Sequence, residues 1–124
     1  MKVYLVEDSP LVRERMAAML RAVDGVEIVG ESEDATAAIA GITATLPDIV
    51  VLDLQLAGSS GLSVLRQLNQ FCPEIISIVL TNYAVPEFRK ECLSAGARHF
   101  FDKTAEFGKV RETIEFLSNN LSHS

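Results

Sequence analysis

Four places in this chain carry residues able to do chemistry together: the pair Glu7-Asp8, then Asp53, Thr81 and Lys103. Each stands at or just beyond the end of a short run of β-branched and aliphatic residues. The runs are Val3-Tyr4-Leu5-Val6, Ile49-Val50-Val51-Leu52, Ile75 to Leu80, and His99-Phe100-Phe101. Clustered carboxylates repel and raise one another's pKa, so three at one place call for a compensating cation. Mg²⁺ would serve, since it binds through one or two carboxylates with waters and phosphate oxygens completing its octahedron. An aspartate in such a site can also be a nucleophile that becomes an aspartyl phosphate. Phosphoryl transfer needs mainly alignment and charge stabilisation. Lys103 and the metal would face the equatorial oxygens, and the Thr81 hydroxyl would donate to one of them.

These residues meet only if the elements carrying them end on one edge. Apolar runs this short and unalternated, separated by helical stretches, predict parallel strands buried on both faces. In an open parallel sheet, ligands bind outside the carboxyl ends of the strands. Ser9-Pro10 predicts an N-cap and a first helical residue. Leu11, Val12, Arg15, Met16, Met19 and Leu20 then follow helical spacing to Asp24-Gly25. A second strand is expected over Val26 to Val29, with Gly30 near its end, and Asp34 caps a helix running through Leu46. A third strand from Asp48 to Leu52 delivers Asp53. The small-residue loop from Ala57 to Gly61 then opens a helix from Leu62 to Phe71. Thr81 ends the fourth strand, and a helix from Pro86 to Ala95 stops at Gly96. The fifth strand runs from Arg98 to Phe101. A last amphipathic helix carries Phe107, Val110, Ile114 and Leu117, and the polar residues 118–124 are expected to fray.

The fold class this implies is α/β. It is a flavodoxin-like, doubly wound, five-stranded parallel sheet of order 2-1-3-4-5, with five helices on both faces. That order sets the first and third strands side by side, which makes Glu7, Asp8 and Asp53 neighbours. Taken alone, Thr81 reads equally well as a plain N-cap for the fourth helix.

Bulk properties narrow the function. A chain of 124 residues suffices for one two-sided core, so residues 1–124 are read as a single domain. A net charge of −6 argues against a nucleic-acid footprint. No apolar stretch approaches the ~20 residues that span a bilayer. The N-terminus enters a strand at once, so no signal peptide is expected and the location is read as cytoplasmic. Cys72 and Cys92 lack metal-ligand spacing and are read as reduced thiols.

Over essentially its whole length the chain resembles the receiver domains of two-component response regulators. The resemblance rests on Val6-Glu7-Asp8, Asp53 after Val50-Val51-Leu52, Gly61 eight residues later, Thr81, Ala95-Gly96-Ala97 and Phe101-Asp102-Lys103. Asn82 after Thr81 is a feature also met in receivers of LuxR-type regulators. The resemblance implies that Asp53 accepts a phosphoryl group from a histidine kinase or phosphotransfer protein in a Mg²⁺-dependent reaction. It further implies Asp8 and Asp53 as direct metal ligands, the Gln55 backbone carbonyl as a third, and Glu7 acting through water. Thr81 and Phe100 match the switch pair, with the phenyl ring expected to turn inward on phosphorylation. Gln55 and Tyr83 match the positions that tune dephosphorylation. Output would leave through the fourth helix, fifth strand and fifth helix, where Val85, Phe88, Phe101 and Phe107 lie, toward a downstream protein partner. No direct nucleic-acid binding or membrane insertion is implied, and the only catalysis expected is self-phosphorylation and dephosphorylation.

This sequence departs from the family pattern in places. Ala57 stands where proline is common, and Lys103-Thr104 replaces Lys-Pro, so a trans peptide is expected there. Two other functions compete. A small Mg²⁺-dependent aspartyl-phosphate phosphatase would want a second aspartate where Gln55 stands. A degenerate receiver acting only as a binding module would want a lost site residue, and the principal ones are all present.

Overall fold

The computed structural model describes residues 1–56 and 58–121. Five strands form one sheet: β1 (Lys2–Val6), β2 (Glu27–Ser32), β3 (Ile49–Asp53), β4 (Ile76–Thr81) and β5 (His99–Asp102). Their order is β2-β1-β3-β4-β5 and every pairing is parallel. The five helices are α1 (Pro10–Arg21), α2 (Ala35–Thr45), α3 (Gly61–Phe71), α4 (Pro86–Ser94) and α5 (Phe107–Leu121). Architecture and strand order match the expectation from sequence.

Alternation along each strand divides the core in two. Val3, Leu5, Ile49, Val51, Ile78 and Leu80 pack on one face with Met16 and Leu20 of α1 and Val110 and Ile114 of α5. Tyr4, Val6, Val50, Leu52, Val79 and Phe100 pack on the other with Ile42 of α2, Leu65 of α3 and Cys92 of α4. Burying both faces explains why the strands read as unbroken apolar runs.

Local chemistry sets the helix starts. Ser9 Oγ accepts the Val12 amide at 3.3 Å, with Pro10 at the first helical position. Asp34 Oδ1 accepts the Ala37 amide at 2.8 Å. Helix α2 ends as Leu46 enters the left-handed region at φ 47, before Pro47, where the preceding residue is disfavoured from continuing a helix. Fourth-helix capping differs from the alternative reading of Thr81. The N-cap position belongs to Val85, without a side-chain bond, and Pro86 opens the helix. Of α4's residues only Cys92 is buried; Val85 and Phe88 are about two-fifths exposed.

Several boundaries move. The second strand extends to Ser32 with Gly30 inside it, opposite Tyr4 at a register shift. A Cβ on Gly30 would lie 2.4 Å from the Tyr4 ring, and one on Gly41 of α2 would lie 2.0 Å from its hydroxyl. The two glycines form a slot for the ring, whose hydroxyl bonds to Ser32 Oγ. A two-residue antiparallel ribbon, Gln55–Leu56 with Ser59–Ser60, was not foreseen between β3 and α3. Of the residues expected to fray, 118–121 belong to α5, which runs on to Leu121, with Ser118 buried and the Asn120 amide donating to the Phe116 carbonyl at 2.7 Å. Residues 122–124 and Ala57 lie outside the described residues. Phe101 and Phe107, expected along an apolar output face with Val85 and Phe88, instead pack partly buried against the α1–α5 side of the core.

Both thiols are free, as read. Cys92 is buried, which with neighbouring Glu91 pushes its pKa up to about 11. Among the described residues there is no cis peptide and no helix long and apolar enough to cross a membrane.

Candidate functional site

The strands bring the predicted residues to the carboxyl edge of the sheet. Glu7 follows β1, Asp53 ends β3, Thr81 ends β4, and Lys103 follows β5. Glu7 and Asp53 share the alternation of the α1–α5 face, and so does Lys103, two residues after Phe101. Thr81 follows the opposite alternation, that of Val79 and Phe100.

Lys103 Nζ lies 2.5 Å from Glu7 Oε1 and 3.0 Å from Asp53 Oδ2. All three side chains are at least nine-tenths buried. A buried ion pair holds only when its remaining polar groups are satisfied. Here Glu7 Oε2 accepts the Ser9 amide at 3.0 Å, and Asp53 Oδ1 accepts the Gln55 amide at 3.1 Å. Burial pulls the Lys103 ammonium toward neutrality, but its bonds to Glu7 and Asp53 outweigh that and raise its pKa. Its backbone is fixed by donation from the Lys103 amide to the Thr81 carbonyl at 2.8 Å.

Asp8 completes the acidic group. One carboxylate oxygen each from Glu7, Asp8 and Asp53 lie within 4.8 Å of one another. Burial, then the adjacent Glu7 carboxyl, raises the Asp8 pKa above 3.8, with Lys103 partly opposing. The donor set fits Mg²⁺: all its atoms are hard oxygens, and three carboxylates face a single ammonium. Lys103 and a backbone amide engage both oxygens of Glu7 and both of Asp53 alike, through Ser9 and Gln55 respectively.

The Asp8 shift has a signed consequence. A folded-state pKa above the unfolded value makes stability fall as pH rises through the interval above 3.8. Asp8→Ala should therefore stabilise the fold at pH 7 by up to about 1 kcal/mol and bring no gain near pH 3. Urea denaturation at the two pH values checks this, and an equal effect at both would exclude electrostatic repulsion as its cause.

Asp8, Asp53, Gln55 and Lys103 line a cleft of about 600 Å³, together with Asn82, Thr104 and, from the two helices, Ser9, Val12, Arg15 and Phe107. Thr81 faces a different cavity of about 220 Å³, lined also by Leu54, Leu62, Tyr83, Phe88 and Cys92. Its hydroxyl accepts the Tyr83 amide at 3.1 Å. Phe100 is buried, and the Arg89 guanidinium sits 5.8 Å over its ring while donating to its carbonyl at 3.2 Å. Gln55 lines both cavities. Gly61 opens α3 where its amide reaches the Leu54 carbonyl at 2.9 Å; a Cβ there would stand 2.1 Å from the Asp53 carbonyl oxygen.

Arg13 of α1 had no place in the reading of the sequence, and Arg15 entered it only as part of the helical spacing. Arg13 donates to the Glu7 carbonyl at 2.7 Å and pairs with Glu33 at 3.0 Å, tying the end of β1 to the loop after β2. Arg15 reaches the cleft. The signal for both was helix-face arithmetic: Ser9, Val12 and Arg15 recur every third residue, and Arg13 lies one turn beyond Ser9.

Comparison with known proteins agrees with this geometry. The response regulator receiver domain family model matches residues 3–115, and the chain belongs to that family. It is 32% identical over 102 residues to the DNA-binding transcriptional activator DevR/DosR of Mycobacterium tuberculosis, covering 82% of this chain and 47% of that protein. To the transcriptional regulatory protein BtsR of Salmonella typhi it is 31% identical over 121 residues, covering 98% of this chain and 49% of the relative. The chain thus spans about half the length of these curated relatives. The crystal structure of a LuxR-family two-component response regulator from Aurantimonas sp. SI85-9A1 superposes with a TM-score of 0.88 at 28% identity, over 96% of this chain and 85% of that one. A CheY-like receiver from Methanospirillum hungatei JF-1 shares the fold, with a TM-score of 0.86 at 20% identity, covering 98% and 96%.

Proposed function

We propose that the chain accepts a phosphoryl group on Asp53 from a histidine kinase or phosphotransfer protein. The observation that carries this reading is the buried Lys103 bridge between Asp53 and Glu7, with Asp8 beside it. The donor's bond to phosphorus breaks as an Asp53 carboxylate oxygen bonds to it, and the electron pair leaves with the donor. Lys103 orients Asp53 beforehand and, held by Glu7, meets the charge of the incoming oxygens. A bound Mg²⁺ would be held by Asp8, Asp53 and the Gln55 carbonyl, with Glu7 through water, and would supply charge neutralisation.

Thr81 and Phe100 serve as the switch pair in this reading. Turning the Thr81 hydroxyl toward a phosphoryl oxygen costs it the Tyr83 amide, which frees the segment leading into α4. Arg89 links that helix to Phe100, so the α4–β5–α5 face changes with it and engages a downstream protein. Gln55 and Tyr83 flank the route of a hydrolytic water and set the phosphoryl lifetime. Catalysis is confined to the chain's own phosphorylation and dephosphorylation, in the cytoplasm. With a net charge of −6, these residues contact protein rather than nucleic acid.

Intact-mass measurement after incubation with acetyl phosphate and Mg²⁺ tests the central step. One phosphoryl group should add to the parent and none to Asp53→Asn. Stoichiometric labelling of that variant would move the acceptor elsewhere.

A further inference from the structure

The cleft above Asp53 is larger than a phosphoryl group requires. Water occupies ~30 Å³ per molecule in the liquid and a phosphoryl group is only a few times larger, so most of the 600 Å³ is open to the rest of a donor. Arg15 stands in that part of the wall. Its guanidinium lies 5.1 Å from the centroid of the Phe107 ring, which also lines the cleft. By contrast, Arg13, Arg66 and Arg111 are each held by a glutamate. Arg15 has no carboxylate partner among the described residues, and contact with a ring leaves the guanidinium N–H donors available for hydrogen bonds. An aromatic ring fixes the guanidinium plane without consuming those donors, and a planar fork of this kind matches carboxylate geometry.

We infer that Arg15 determines donor specificity, favouring acyl phosphates by receiving the carboxylate they release. This rests on the proposed phosphorylation of Asp53. When an acyl phosphate reacts, the P–O bond to the acyl oxygen breaks as the Asp53 oxygen bonds to phosphorus. The electron pair stays on the acyl oxygen, and negative charge grows there as the carboxylate departs. No proton is needed. A donor with a P–N bond behaves differently: its nitrogen takes up a proton and leaves without negative charge. Arg15 therefore lowers the barrier for the first class and not for the second. Lys103, engaged by Glu7 and Asp53, addresses the transferred group and serves both classes alike.

The test compares acetyl phosphate with phosphoramidate, both with Mg²⁺, as rates of mass gain at Asp53. Arg15→Gln should slow labelling by acetyl phosphate about fivefold, the scale of one exposed charge interaction, and leave phosphoramidate labelling unchanged. Arg15→Lys should restore part of the acyl-donor rate. Raising the salt concentration should erode the acetyl phosphate rate of the parent more than that of Arg15→Gln. Arg15 is exposed, so folding is not at stake, and Phe107→Leu gives a second route by removing the ring that orients it. Equal slowing with both donors, or none with either, overturns the inference while leaving Asp53 as the acceptor. Failure of the parent to label with either donor overturns the phosphorylation reading itself.

Discussion

Lys103→Met should destabilise the fold by about 3 kcal/mol at pH 7, the usual cost of removing one partner from a buried ion pair. Methionine keeps the apolar stem, so the loss comes from Glu7 and Asp53, left buried within reach of Asp8 and without a counter-ion. Acid removes carboxylate charge, so this electrostatic penalty shrinks as the solution is acidified. The parent shows the complementary dependence at the alkaline end. Because the Lys103 pKa is raised from 10.5, its contribution is complete below that value and is lost as pH climbs through the folded pKa. Urea denaturation of parent and variant at pH 7 and pH 4 checks the expectation. A loss equal at both would assign the effect to packing rather than to charge.

Gly61→Ala should cost at least about 2 kcal/mol and lower the melting temperature by about 5–10 °C. The added methyl would meet the Asp53 carbonyl oxygen at 2.1 Å and the Leu54 Cα at 2.8 Å, both backbone atoms that cannot rotate aside. Relief requires α3 to retreat from β3, which disturbs the Gln55 amide bond to Asp53. Phosphoryl uptake should therefore fall along with stability. Gly108→Ala provides the control: a Cβ there meets nothing within 4 Å, and the helical position favours alanine by roughly 0.5–1 kcal/mol. Calorimetry of the two variants checks both signs. A Gly61→Ala protein as stable as the parent would mean that the close approach relaxes freely.

The site was legible because each of its members ends a β-branched run, and strand ends in a parallel sheet share one edge. Glu7, Asp53, Thr81 and Lys103 could be placed by counting from those runs. Order among the strands was inferred from the flavodoxin-like arrangement that five alternating strands fit. What stayed hidden depends on distance across the chain. The seat of Tyr4 joins Gly30 and Gly41, and in sequence Gly30 looks like the end of a strand rather than the floor of a slot. The ribbon of Gln55–Leu56 with Ser59–Ser60 is too short to leave a pattern. The polar residues after Leu117 suggested fraying, because hydropathy does not show that Ser118 is buried or that the Asn120 amide bonds the Phe116 carbonyl. Arg13 and Arg15 sat within a helix read for its apolar face, so their reach toward the site went unseen.

Helix α4 is joined to the rest of the molecule by one buried side chain, Cys92, by the Arg89 contacts to Phe100 and by an exposed ion pair from Glu91 to Arg66 of α3. Strand β3, by contrast, buries all five of its residues. Free energies of opening follow such differences in buried surface, so the two elements belong to different cooperative units. Releasing α4 exposes little that is not already in water and leaves the sheet closed. Amide hydrogens of α4 should then exchange by local opening, while those of β3 wait for global unfolding. The protein can thus rearrange this helix many times within the lifetime of a single folded sheet.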